Sequence, residues 1–440
     1  MSDKYGQEII YTYDVSFEKS ETLWSSRWDI YLKQGNNEVH WISIVNSTLL
    51  VLFLSGMVAM IMIRTLYKDI KYYNAIYEKI SMVEKGGDDL ESNDILEETG
   101  WKLVHADVFR PPSRFPLLLA TMTGTGVQLL AMIFLVLGFA VLGFLSPANR
   151  GSLLTCLLLL FIFMGVVGGY VSARVYVWIV FFFVCSLTAS LQNTTAYYRY
   201  KMMDGKKWRR NTLLTATLFP GFLGLLSIFV NFFLWHKNST KAIPFTTMLA
   251  VLFLWVGISL PLTYLGAFFG YRKDKIESPV AVNSIPRFIP PQRIALKWYS
   301  TMMISGLLQF GCIFIEVYFI MSAIWLHQVY YLFGFAFFVL FILCVACFEL
   351  SIVITYFQLS SENYKWWWQS FISGGSVAVY VFLYAVRFHT ELELETPIAS
   401  LLYFSSMVQA VFTIFLVTGS VGFLSSLWFT RLIYSSIKVD

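Results

Sequence analysis

Tyr330–Leu359 reads YYLFGFAFFVLFILCVACFELSIVITYFQL, thirty residues in which Glu349 is the one formally charged side chain. At 1.5 Å per residue, a helix of this length more than crosses a hydrocarbon core about 30 Å thick. A helix satisfies its own backbone amides in lipid, whereas an open sheet leaves its edges without partners, so the helical reading prevails.

Eight further apolar runs flank it, at about Ile42–Ile63, Leu117–Leu145, Ser152–Ala173, Thr212–Trp235, Ile243–Gly270, Thr301–Trp325, Phe371–Arg387 and Ser400–Phe429. The prediction is an all-α polytopic membrane protein, residues 42–440 forming a nine-helix transmembrane bundle. Composition agrees. Apolar residues make up 57% of the chain and charged ones 13%, against about 25% charged in soluble domains, too few to cover a water-facing surface. The five cysteines lie inside apolar runs, where a thiol behaves as a small hydrophobe, so neither a disulfide framework nor a metal site is expected. Cys344-x-x-Cys347 occupies one helix turn with no further Cys or His near it.

Basic residues decide the orientation. With a lumenal N-terminus and nine crossings, 24 Lys and Arg fall on the cytosolic side and eight on the lumenal side, as the positive-inside rule expects. A tenth apolar stretch, Val177–Leu191, is short for a crossing. If it crossed, the six basic residues of Arg272–Lys297 would become lumenal, so it is expected to lie re-entrant, interfacial or unfolded. The connection 64–116 and the tail 430–440 are then cytosolic. The acidic portion Glu84–Glu98 is expected to be disordered. Asn238–Ser239–Thr240 is a candidate N-glycosylation acceptor in a lumenal loop; Asn46–Ser47–Thr48 sits within a span and is not.

Upstream of the first span, Ile9, Tyr11, Tyr13, Val15 and Phe17 alternate with Ile10, Thr12, Asp14 and Ser16, a period of two that predicts a strand. One strand buries too little to stand alone, so residues 1–41 are read as a short β-type remnant of a lumenal domain. No apolar leader precedes it. Either Met1 is not the native start or the first span serves as its own signal-anchor.

Several motifs carry a family resemblance. Glu97–Pro112 reads EETGWKLVHADVFRPP; Leu145–Gly151 reads LSPANRG; Gly169–Arg174 reads GYVSAR; Asn283–Gln292 reads NSIPRFIPPQ; Phe314–Ile320 reads FIEVYFI; and Trp366–Trp368 is a tryptophan triplet. With these the chain resembles the nonaspanins, the transmembrane 9 superfamily (EMP70-like), from about Tyr13 to Asp440. It departs from the family pattern at Ala106 (usually Gly), Asn363 (usually Asp) and Ser405–Ser406 (usually Gly-Tyr). The family also runs almost directly from Ser172–Tyr176 into a Lys-rich loop, here Gly205–Trp208, so Val177–Tyr200 is extra. Val175–Trp178 can be encoded with the donor sequence GTATGT and Tyr198–Tyr200 with an acceptor AG, so the segment is read as a retained intron, the alternative being a genuine insert. A transcript lacking these codons is the expected result.

Candidate functional residues are few. Glu316 and Glu349 lie deepest in predicted spans; an intramembrane carboxylate faces protein or water and marks either a proton-linked site or a neutral helix-to-helix hydrogen bond. Gly165-x-x-x-Gly169 and Gly266-x-x-x-Gly270 allow close helix contact. The resemblance implies a second use for them, recognition of glycine-rich transmembrane segments of client proteins. Pro220 and Pro261 are expected to kink their spans, and Trp366–Trp368 to form an interfacial aromatic belt. The chain ends Lys438–Val439–Asp440, which resembles the family's C-terminal signal for the COPI coat. No HExxH, P-loop, GxSxG or Rossmann pattern occurs, so neither enzyme chemistry nor a cofactor is expected. The resemblance implies a multi-pass protein of Golgi and endosomal membranes that helps sort other membrane proteins; an ion- or proton-coupled transporter or channel is the alternative.

Overall fold

The computed structural model describes residues 13–17, 19, 41–86, 100–112, 114–144, 151–187, 206–237, 239, 242–273, 279–280, 282–283, 285–325, 332–392, 394 and 396–435. Among them, nine helices are long and apolar enough to cross a bilayer: Val45–Asp69, Pro116–Val141, Ser152–Ile179, Trp208–His236, Phe245–Arg272, Trp298–Ile324, Phe333–Ser360, Trp366–His389 and Pro397–Ser435, the first to ninth spans. Each overlaps one of the nine apolar runs. The protein is an all-α polytopic membrane protein.

The expected β-type remnant does not form where it can be seen. Among the described residues there is no strand, and Tyr13–Phe17 are irregular, with Phe17 96% exposed. A strand needs a partner to take up its amides, and no described segment supplies one. The rest of residues 1–40, apart from Lys19, lies outside the described residues.

Two helices outrun their crossings. The first extends from Trp41 to Gly86, so the connection expected as a loop from residue 64 begins as helix, and Glu84–Gly86 are ordered within it. Nothing between Ile70 and Lys85 breaks the helix: the stretch contains neither Gly nor Pro. Residues 87–99 lie outside the described part. The third helix runs Ser152–Leu187. Val177–Leu187 therefore continues the third span instead of turning back or unfolding; the stretch contains neither Gly nor Pro. Residues 188–200 are not among those described.

Spans two to five pack as one half of the bundle, and spans six to nine with the first as the other. The ninth span joins the halves, lying against spans two, four, seven and eight. Small residues set the closest crossing. A Cβ on Gly266 would lie 1.9 Å from the Val166 carbonyl oxygen, and one on Gly169 2.1 Å from that of Thr263. Gly266→Ala is accordingly expected to cost about 1–3 kcal/mol through overpacking, read as a lower unfolding midpoint in detergent; an unchanged midpoint would refute this crossing.

Span five changes winding ahead of its proline. Helix Phe245–Leu254 passes into a π-helical turn, Trp255–Ser259, in which the Leu260 N–H donates to the Trp255 carbonyl, and helix Leu260–Arg272 follows. Pro261, at the start of that second piece, has no N–H to donate, and local rewinding is how a transmembrane helix accommodates one. Span eight is likewise two pieces, Trp366–Gly375 and Val377–His389, meeting at Ser376.

Candidate functional site

Because the spans alternate in direction, the connections beginning after spans one, three, five and seven, together with the C-terminus, share one end of the bundle. This basic end is closed by a cap folded from two of the motifs. Gly100, at φ 78°, opens a 3₁₀ turn, Gly100–Val104, a backbone conformation that glycine adopts without a Cβ penalty. Trp101, Val104, Val108 and Phe109 then point inward and are essentially fully buried.

Hydrogen bonds lock this plug to three spans. Asp69, at the end of the first span, accepts from Trp101 Nε1 at 3.1 Å and from the Tyr356 hydroxyl of the seventh at 2.7 Å. The Tyr434 hydroxyl of the ninth span donates to the Trp101 carbonyl at 2.6 Å.

The plug is also zipped to Asn283–Gln292. Arg110 donates to Asp107 Oδ1 through Nε at 2.8 Å and Nη2 at 2.5 Å, and Nη2 donates to the Asn283 carbonyl at 2.7 Å. The Asn283 N–H donates to the Ala106 carbonyl at 3.1 Å and the Arg287 N–H to Asp107 Oδ2 at 3.3 Å. Asp107 is thus a buried carboxylate whose charge is met by one guanidinium and one amide. Tyr364 donates to the Arg287 carbonyl at 3.3 Å. Burial pushes its phenol up, the Asp107 carboxylate adds to this, and Arg110 offsets part of it.

The tryptophan triplet belongs to the same cap, which corrects the aromatic-belt expectation. Trp366 and Trp367 are at most 1% exposed. Trp366 donates to the Val108 carbonyl at 2.9 Å and stacks on Trp367, with ring centroids 4.9 Å apart. Trp368, half-buried, donates to the Arg114 carbonyl at 2.8 Å. Indole rings serve an interface or a core equally well; here the cap supplies carbonyl acceptors, and two of the three rings turn inward. Trp178, in the stretch read as extra, packs between Phe109 and Trp367, with centroids 6.2 and 4.7 Å away.

Inside the bundle the two predicted carboxyls meet the first span. Ser47 donates to Glu316 and Ser55 to Glu349. Glu316 is 1% exposed and Glu349 half-buried, and Cys312 lies within electrostatic reach of both. Gly165 and Gly169 of the third span and Gly266 and Gly270 of the fifth lie at the crossing of these two spans. Lys438, Asp440 and Asn238 lie outside the described residues.

Asp69, Asp107, Ser47, Ser55 and Tyr356 carry much of this geometry without standing out in the sequence. Asp69 had one signal, a charge at the end of an apolar run. The serines had none, since a hydroxyl in a transmembrane helix ordinarily bonds its own backbone; the single Ser55 proton is shared between the Val51 carbonyl, 2.8 Å away, and Glu349.

A helical membrane protein with nine candidate spans among its described residues, closed at one end by a folded cap made from its own connections, is the class that these features define. The family model described as Endomembrane protein 70 (EMP70) matches residues 2–397. The chain is 48% identical over 437 residues to transmembrane 9 superfamily member 10 of Arabidopsis thaliana, covering 99% of this chain and 62% of that protein. It is 44% identical over 434 residues to human transmembrane 9 superfamily member 4, covering 98% and 62%, and 45% identical over 436 residues to human member 2, covering 98% and 60%. The chain belongs to the Endomembrane protein 70 family, the transmembrane 9 superfamily. It spans about 60% of the length of these relatives. No solved structure matches it.

Proposed function

We propose that the chain takes part in the trafficking or sorting of other membrane proteins in Golgi and endosomal membranes, and performs no catalytic step. The observation that carries this reading is identity of 44–48% to transmembrane 9 superfamily members over nearly the whole chain. The 24-to-8 division of basic residues supports a lumenal N-terminus and a cytosolic C-terminus. Lys438 and the two terminal carboxyls of Asp440 then form a compact charged epitope for the COPI coat, and glycine-rich transmembrane segments are the proposed clients.

Two measurements test this. A fusion that masks Asp440 is expected to move the protein out of the Golgi; an unchanged distribution removes the retention signal from the reading. Depletion is expected to mislocalise membrane proteins with glycine-rich spans, and correct delivery of all of them would overturn the sorting role.

A further inference from the structure

The sixth span carries a polar stripe on one face. Thr301, Ser305, Gln309, Cys312 and Glu316 recur at intervals of four, four, three and four, and at 3.6 residues per turn they fall within an arc of about 80°. All five are buried, Ser305 and Gln309 completely. From Thr301 to Glu316 the stripe rises about 22 Å at 1.5 Å per residue, most of a hydrocarbon core about 30 Å thick.

Neighbouring spans extend the stripe with polar groups of their own. At the basic end, Gln369 donates to Thr301 Oγ1 at 3.0 Å. Next, Ser305 donates to the Ser373 carbonyl at 3.0 Å, just before the interruption of span eight at Ser376, whose hydroxyl donates to the same carbonyl at 2.6 Å. Toward the far end, Glu349 takes Ser55 and Glu316 takes Ser47 from the first span.

Packing alone would require polar groups that satisfy one another. Gln309 departs from that pattern: its Nε2 donates to Ser305 Oγ at 3.0 Å, but its Oε1, in a residue 0% exposed, has no hydrogen-bond partner among the described residues. An acceptor so buried is retained at a cost, and here it sits midway between the hydroxyls of the basic half and the carboxyls of the other.

The geometry points to a proton pathway through the bundle along this stripe, with Glu316 and Glu349 as the groups that take up and release the proton and with water, held by the Gln309 Oε1 acceptor, as the carrier that takes it past the amide into the basic half. The titratable groups around it include Cys312, Cys347 and Cys344, with Tyr380 and Tyr384 of span eight on the flank of Phe310. The first span presents no charged side chain between Val45 and Ile63. Protons cross as H⁺, so an equal counter-flow of another cation must balance their charge.

The test is the full chain in phosphatidylcholine liposomes containing a pH-sensitive dye, with a pH gradient imposed and K⁺ with valinomycin supplying the counter-flow. Internal acidification is expected at least tenfold faster than in protein-free liposomes. Glu316→Gln and Gln309→Leu are each expected to lose at least tenfold of that rate, and Glu391→Gln, in an exposed surface ion pair at the end of span eight, to lose none. Each variant is first checked for a monodisperse gel-filtration peak; if Glu316→Gln fails there, Gln309→Leu decides. A wild-type rate equal to that of empty liposomes, or a folded Gln309→Leu variant as fast as wild type, overturns the pathway.

Discussion

Trp366→Ala is expected to remove about 3–5 kcal/mol of stability, the range for deleting a fully buried large aromatic. The ring is 0% exposed, stacks on Trp367, and lies nearly parallel to Phe423, with centroids 5.9 Å apart. Its indole also donates to the Val108 carbonyl, so truncation leaves a cavity and deprives a buried carbonyl of its donor. Chemical unfolding in detergent reads the loss. Trp368→Ala, at a half-buried ring, is expected to lose distinctly less. Equal effects at the two positions would restore the interfacial-belt reading of the triplet.

Asp107→Ala is expected to cost a similar 3–5 kcal/mol, because removing one partner of a buried ion pair leaves the other charge without compensation. The Asp107 and Arg110 side chains are 5% and 15% exposed, so solvent screens the pair little. The carboxylate also receives the Arg287 amide, and its loss frees the connection around Asn283–Gln292 from the plug. Limited trypsin digestion is expected to cut at Arg287 and Arg293 in the variant well before the wild type. Arg110→Ala and the double variant complete a thermodynamic cycle, in which the two single losses should not add. Additive losses would show that the two side chains act independently.

The crossings were legible in the sequence because each is long, apolar and bounded by charges, and lipid leaves the backbone no other regular choice. The cap was not legible as a cap. Its motifs could be picked out, yet nothing in Trp101, Asp107 or Trp366 states that residues more than 250 positions apart share one site. The triplet shows the ambiguity most plainly: three adjacent indoles satisfy the rule for a membrane interface, and only the Val108 carbonyl under Trp366 and the stacking of Trp367 on it and on Trp178 reveal why these two turn toward the protein. The same holds for Glu316 and Glu349. Their depth was evident from their place in the apolar runs, but nothing in the sequence pairs them with Ser47 and Ser55 of the first span. Tyr13–Phe17 failed in the opposite sense, since the alternation was present and no described segment lies beside it to pair with.

Ser47, Ser55 and Asp69 tie the first span to its neighbours through polar contacts. On a helix of 3.6 residues per turn, these positions fall within an arc of about 80°, while most of the helix's remaining circumference is lipid-facing. Lipid grips every azimuth of such a helix alike, so these polar teeth, together with the buried Val51 and Met62, fix its rotation. A twist of one residue, about 100°, would disengage all of them at once. The first span is therefore keyed like a shaft, and torque applied from its N-terminal side would reach Asp69, and through it Trp101 and Tyr356, without any sliding of the bundle.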